Sequence, residues 1–203
     1  MNAAAFRKLV GPTLIHVTRT QNAAGIMCQG LLCASELARQ AGVDERDILL
    51  RRDRRMLATQ NGVAQLNHQL PLRLGLNKAA QFLDGHSLES WAAQLDRRIF
   101  FWPSRKGTAF AASLGEKSLV LTLDAEAFFE ALSESIYLSP INSGNADRRP
   151  AWRGDWIYVP ASAGVEAFRE NRVRRGLVKS RDAVSEISIT CPLPIDVLSK
   201  IAL

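Results

Sequence analysis

Four side chains of this 203-residue chain combine types and settings that suit chemistry on a nucleotide: His16, Thr18, Arg105 and Glu186. His16 and Thr18 lie two apart in the apolar run Leu14-Ile15-His16-Val17-Thr18, so on a strand they share one face and reach one ligand. The segment from Gln21 to Leu32 has the pattern of a short amphipathic helix that stops at Gly30. Backbone N–H groups and the dipole at a helix start favour an anion, so this opening reads as the entrance to a nucleotide site. A lone histidine in an apolar strand is more often a buried, hydrogen-bonded structural residue, and it is Thr18 on the same face that strengthens the ligand reading of His16. Arg105 ends the aromatic run Phe100-Phe101-Trp102-Pro103-Ser104, and a planar guanidinium suits bidentate phosphate binding. Arg97 and Arg98 precede the same run and stay open as the working cation, and a plain surface arginine after a turn is the other reading of Arg105. Glu186 interrupts Val184-Ser185-Glu186-Ile187-Ser188-Ile189, where a carboxylate in a dry core is costly. It belongs either to an exposed edge strand or to a site with donors. The run Ser139 to Asn145, which contains Ser143 and Gly144, offers hydroxyl, amide and glycine for a ligand-contacting loop or a simple turn.

The elements that must hold these residues follow from periodicity and turn chemistry. A first strand over Thr13–Val17 follows Gly11-Pro12. Helix and turn are expected over nearly all of residues 20–95: Asn22–Met27, Ala34–Gln40, Asp44–Ala58 with Ile48, Leu49 and Met56 opposite an arginine face, Pro71–Phe82, and a helix capped by Ser87. Strands are expected at Arg98–Trp102, Ser118–Leu123, Ser135–Leu138 and Ala183–Thr190, with an extended Trp156–Val159. Helices are expected at Asp124–Leu132 and Ala163–Arg174, and a long loop at Ser139–Asp155.

Composition bounds the class. Apolar residues make up 47%, enough to bury a core in one domain, and Lys+Arg exceed Asp+Glu by 26 to 20, a net charge of +6. The excess sits in Arg51-Arg52-Asp53-Arg54-Arg55 and in Arg169, Arg172, Arg174, Arg175, Lys179 and Arg181, which read as polyanion contacts or as solvated helix faces. Cys28, Cys33 and Cys191 read as small core residues in a reducing compartment, and the scattered His16, His68 and His86 predict no metal site. No apolar run reaches the roughly 20 residues of a membrane span, so a cytoplasmic chain with no membrane partner is expected.

Taken in order, these motifs resemble the ADP-ribosyltransferase superfamily, and within it the DarT-like branch of DNA-modifying toxins and their bacterial relatives. His16 and Thr18 match the opening strand. Asn22, Ile26, Gly30 and Leu31 match an Asn-x-x-x-Ile-x-x-x-Gly-Leu helix. The run Arg98 to Arg105 matches an aromatic strand leading to a functional arginine, and Ser185 to Ile195 matches a late strand whose glutamate is followed by a proline-bearing segment.

The resemblance implies an α+β fold: an ADP-ribosyltransferase-like split β-sheet in a single domain, residues 1–203, with a helical insertion at about 33–96 after the first strand–helix unit. It further implies NAD as co-substrate, with His16, Thr18, Asn22 and Ser143 binding it. Glu186 and Arg105 are the implied catalytic pair, Glu186 stabilising the positive charge that develops on the ribose as the bond to nicotinamide breaks. A nucleic acid, DNA above all, is the implied acceptor, and an antitoxin protein a partner if the chain is a toxin. The alternatives are a non-catalytic module of the same fold that binds nucleic acid or protein, and an RNA 2′-phosphotransferase, which shares the His-x-Thr opening.

Overall fold

The computed structural model describes residues 1–74, 80–114, 117–145 and 151–203. Behind the turn at Gly11-Pro12, β1 (Thr13–Arg19) alternates Leu14, fully buried in the main core, with Ile15, which meets Gly107 on the other face. The remaining strands of its sheet are β4 (Ile99–Pro103), β5 (Ser118–Asp124), β6 (Ile136–Ser139), β7 (Val159–Pro160) and β8 (Glu186–Ile189). They lie in the order β5-β1-β4-β8-β6-β7, every pairing antiparallel, and with the surrounding helices they make the chain α+β.

The register positions the site. β1 pairs with β5 along its whole length, from Thr13 opposite Asp124 to Arg19 opposite Ser118. With β4 it shares only Leu14 opposite Pro103 and Ile15 opposite Trp102. Beyond Ile15 the ladder stops, and the sheet divides into β5-β1 and β4-β8-β6-β7.

Helices seal both faces. One layer is α1 (Ala3–Val10), α7 (Ala125–Leu132) and α9 (Ile195–Ile201), which with Leu14, Phe101, Leu123, Ile187 and Ile189 enclose the main core around Phe6 and Phe128. On the other face α6 (Ser104–Leu114) presses Gly107 onto Ile15. The expected caps hold: Ser87 Oγ accepts from Ser90 N at the start of α5 (Leu88–Asp96), and Asp124 Oδ1 from Ala127 N at α7. The helices α2 (Ala23–Gln29), α3 (Ala34–Gln40) and α8 (Gly164–Arg174) fall where periodicity puts them.

Three expectations are corrected. Asp44–Ala58 is not a helix: a single 3-10 turn, Glu45–Ile48, is followed by β2 (Arg55–Thr59), which pairs with β3 (Gly62–Leu66), so residues 33–96 are not wholly helical. The cause is a period of two. Leu57, Ala64 and Leu66 bury together with Ile48 and Ala38, while Gly62 takes φ +107° in the turn after Asn61. Nor is Arg51 on a solvated face; its guanidinium is drawn inward onto the buried Asp96 at 2.8–3.0 Å.

Second, the last strand begins at Glu186 rather than Ala183, and it is central, between β4 and β6, which removes the exposed-edge reading of Glu186. The extended stretch at Trp156 is likewise shorter: Asp155–Ile157 is a 3-10 turn and only Val159–Pro160 pairs. Third, Cys28 is exposed rather than a core residue, Cys33 and Cys191 are half-buried, and all three are free thiols. The expected Pro71–Phe82 helix is present as α4 (Leu70–Leu74) and a 3-10 turn at Ala80–Phe82; its middle, 75–79, lies outside the described residues, as do 146–150 of the Ser139–Asp155 loop.

Candidate functional site

Where β1 and β4 part, their edge groups need other partners, and His16 supplies one: Nδ1–H donates to the Phe100 carbonyl at 2.9 Å, bridging the two half-sheets. A carbonyl can only accept, so this bond sets the tautomer and leaves Nε2 as a bare acceptor. Burial lowers the pKa of His16, which keeps the ring neutral.

The gap opens into a cavity of about 310 Å³, walled by His16 and Thr18 on one side, Arg98 and Trp102 on the other, with Arg51 and Asp96 also in its lining. That volume is at the lower end of small-molecule sites. The β2–β3 hairpin is its outer wall. Asn22 fastens that wall to β1: its Nδ2 donates to Thr18 Oγ1 at 2.7 Å and to the Gln65 carbonyl at 3.1 Å, and its Oδ1 accepts from Gln65 N at 2.6 Å. Asn22 thus lines the cavity while its amide is already engaged, and Thr18 Oγ1 retains its own O–H for a ligand.

Glu186 lies two strands away and is 3% exposed. Its Oε1 accepts from Ser143 Oγ at 2.5 Å and from Ser143 N at 3.4 Å, so the residues expected at the late loop and the late strand are brought together. The Ser143 carbonyl is held in turn by Trp91 Nε1 at 3.3 Å and Arg153 Nη1 at 3.1 Å. Arg98 lies over the Tyr158 ring at 3.7 Å and the Tyr137 ring at 4.8 Å, donates to Ser188 Oγ at 3.3 Å, and keeps a buried Nε with no partner. The Tyr158 hydroxyl is also buried without a hydrogen-bond partner.

Burial decides the electrostatics. Desolvation pushes the Glu186 carboxyl up to about 7, against the downward pull of the Ser143 hydrogen bonds and of the fields of Arg98 and Arg153. The same desolvation lowers Arg98 and Arg153 and raises the Tyr158 phenol. Among the described residues no arginine forms an ion pair with Glu186; the two act on it through space. A carboxyl poised near neutrality, with cations held back from contact, can stabilise a positive charge brought against it.

Glu186 lines neither large cavity. It sits in the wall between them: Arg98 and Gly144 face the β1–β4 cleft, and Asn142, Arg153 and Ser185 face a second groove. Arg105 stands apart, exposed at the first turn of α6 and in the lining of neither cavity. Its neighbour Lys106 instead reaches the Glu186 strand, donating to the Val184 carbonyl at 2.7 Å and to Ser185 Oγ at 3.2 Å. Among the described residues the cations that feel the carboxylate are therefore Lys106, Arg98, one of the two that the sequence left open, and Arg153, which no pattern singled out.

Among the described residues no group of three or more His, Cys, Asp and Glu could hold a metal ion, and no helix is long and apolar enough to cross a membrane. Residues 12–198 match a family described as "Family of unknown function (DUF7002)". No curated protein and no solved structure matches the chain.

Proposed function

We propose that the chain, which belongs to the DUF7002 family, is an NAD-dependent ADP-ribosyltransferase that modifies nucleic acid, its six-stranded sheet being the split ADP-ribosyltransferase-like core. The observation that carries this reading is the divided sheet: a cleft between β1 and β4 edged by His16, and, two strands on, a buried glutamate beside two arginines. The residues fit a dinucleotide in three respects. His16 Nε2 and the Thr18 hydroxyl are available to ribose hydroxyls, Arg98 carries an unpartnered donor beside the cleft, and Trp102 and Phe100 offer flat apolar walls.

When NAD is bound, it supplies a nicotinamide–ribose bond whose cleavage builds positive charge on the sugar. Glu186, as the carboxylate, stabilises that charge. For contact, the Ser143–Gly144 segment that closes over Glu186 must swing aside, releasing Oε1 from Ser143. Arg98, at the mouth of the same wall, neutralises the phosphate side. The excess of basic residues fits a polyanionic acceptor, and an antitoxin remains the partner expected of a toxin.

Thermal unfolding with and without NAD tests the reading. At NAD a hundredfold above its Kd the stabilisation should be about 2.7 kcal/mol. A His16→Ala chain that binds about tenfold more weakly should gain only about half as much under the same conditions. No shift at any NAD concentration contradicts the proposal. A second reading, a non-catalytic binding module, is favoured by one feature, the closure of Glu186 behind Ser143. It predicts the NAD shift, or nucleic-acid binding alone, with no nicotinamide released.

A further inference from the structure

On the far side of the Glu186 wall lies a groove of about 1390 Å³ that shares Arg153 with the surroundings of Glu186 but is distinct from the β1–β4 cleft. Among the described residues four arginines line it, Arg153, Arg172, Arg174 and Arg175, against one acidic residue, Asp84, whose Oδ2 is already taken by Trp156 Nε1 at 3.0 Å. The arginines are not paired off elsewhere in an ordinary way. Arg172 is 5% exposed and spends its Nη groups on the carbonyls of Pro140, Lys179 and Ala183, and its Nε is buried with no partner. Arg153 binds the Ala151 and Ser143 carbonyls.

Arg175 is the most exceptional. Its Nε and Nη1 are both buried without a hydrogen-bond partner, and its guanidinium stacks on Trp156 at 5.0 Å from the ring centre. Burial and the neighbouring charges of Arg153 and Arg172 pull it down to about 10. Carbonyl partners satisfy donors but do not neutralise charge. Three guanidinium groups within one another's field, two with unmet donors, cost free energy that a bound anion offsets. Beside them Trp152 presents a flat face that is 54% exposed, backed edge-on by Phe82 at 5.8 Å.

We propose that this groove is a second ligand site, separate from the β1–β4 cleft, which binds the phosphate of a nucleotide on Arg175 and Arg172 and stacks its base on Trp152. Arginine forks match phosphate oxygens in pairs, and an exposed indole accepts any base face. The phosphate comes either from a free nucleotide or from the backbone of a strand. The site stands on its own geometry; only its use as an acceptor subsite would rest on the NAD reading.

The test is calorimetric titration without NAD, using uridine monophosphate, inorganic phosphate and a short oligouridylate. Uridine monophosphate should bind, inorganic phosphate should compete with it, and affinity should fall steeply with salt. Arg175→Ala and Trp152→Ala should each weaken binding by roughly tenfold or more, the usual worth of a charge-assisted hydrogen bond or of one stacked base. His16→Ala should leave it unchanged, which separates this groove from the cleft. Arg175→Ala gives up the stacking on Trp156 but no hydrogen bond in the described structure, and it relieves the charge crowding with Arg153 and Arg172, so its unfolding temperature should stay near that of the parent chain, and Arg175→Lys should recover part of the binding. A much tighter oligouridylate assigns the phosphate to a strand; equal affinities assign it to free nucleotide. Failure of all three probes to bind, or binding indifferent to Arg175→Ala, overturns the proposal and leaves the NAD reading untouched.

Discussion

Glu186→Gln should cut NAD turnover by about 10²–10³-fold or more while leaving the protein more stable at pH 8 than the parent chain. Both halves follow from the same burial. In the fold the Glu186 carboxyl titrates at about 7, against an ordinary 4.5. Between those two values the folded chain holds a proton that the unfolded chain has released, so stability falls as pH rises through that window, and above about 7 the full cost of the buried charge is present. Its size is on the order of 3 kcal/mol. Glutamine keeps the shape and has no charge to bury, so the variant should lose this slope and stand above the parent at high pH. Turnover in the parent should rise with pH through about 7 as the carboxylate forms. Denaturant unfolding from pH 4 to 9, run beside nicotinamide release, checks the pair of effects. A Gln variant that is less stable at pH 8, or that turns over NAD like the parent, removes Glu186 from the centre of the account.

The second large effect is purely structural. Gly30→Ala should destabilise the fold by on the order of 4 kcal/mol, a large share of the margin of a domain this size. Gly30 ends α2 at φ +84°, ψ −156°, a region open essentially to glycine alone. A Cβ there would fall 2.0 Å from the Leu193 carbonyl oxygen and 2.7 Å from Ile195 N, both backbone atoms that cannot step aside cheaply. The approach is that close because Leu31 and Leu193 exchange hydrogen bonds of 2.8 and 2.9 Å immediately beside it, tying the end of α2 to the segment that follows the Glu186 strand. The comparison Gly42→Ala is informative, since Gly42 is also at positive φ but has open space around its Cβ position. It should show only the backbone strain, on the order of 1–2 kcal/mol. Equal losses at the two positions would mean that the Leu193 crossing contributes nothing.

Much of this arrangement is legible in the chain itself. The β1 strand, the aromatic β4 and the Asp124 and Ser87 caps are local patterns, each readable from a few neighbouring residues, and Ser143 and Glu186 stand out singly, although their meeting across 43 residues does not. What escaped is long-range. Leu57 and Ala64 are buried while their apolar neighbours Met56, Ala58 and Val63 face outward, so residue type shows no alternation, and the arginines before them dominate the pattern; the hairpin therefore reads as helix. Arg105 has the motif position, but it is Arg98, two tyrosine rings and Arg153 that converge near Glu186, because β4 runs beside β8 and the Arg153 segment folds back over Ser143. Arg153 comes from a loop with no periodicity, and only the three-dimensional fold reveals it. Gly30 illustrates the reverse case. Its place in a helix-ending motif is plain in the sequence, whereas its reason, the backbone of Leu193, lies far along the chain.

Glu186 is proposed to stabilise the charge that develops as the nicotinamide–ribose bond of NAD, held in the β1–β4 cleft, breaks. The most direct test is incubation of the chain with NAD labelled in the ADP-ribose half, alone and with single-stranded DNA, RNA or protein, measuring free nicotinamide and label on each acceptor. Nicotinamide release should run in step with label on nucleic acid, be lost in Glu186→Gln and be reduced in His16→Ala. No nicotinamide from any mixture, or release that persists in Glu186→Gln, would contradict it.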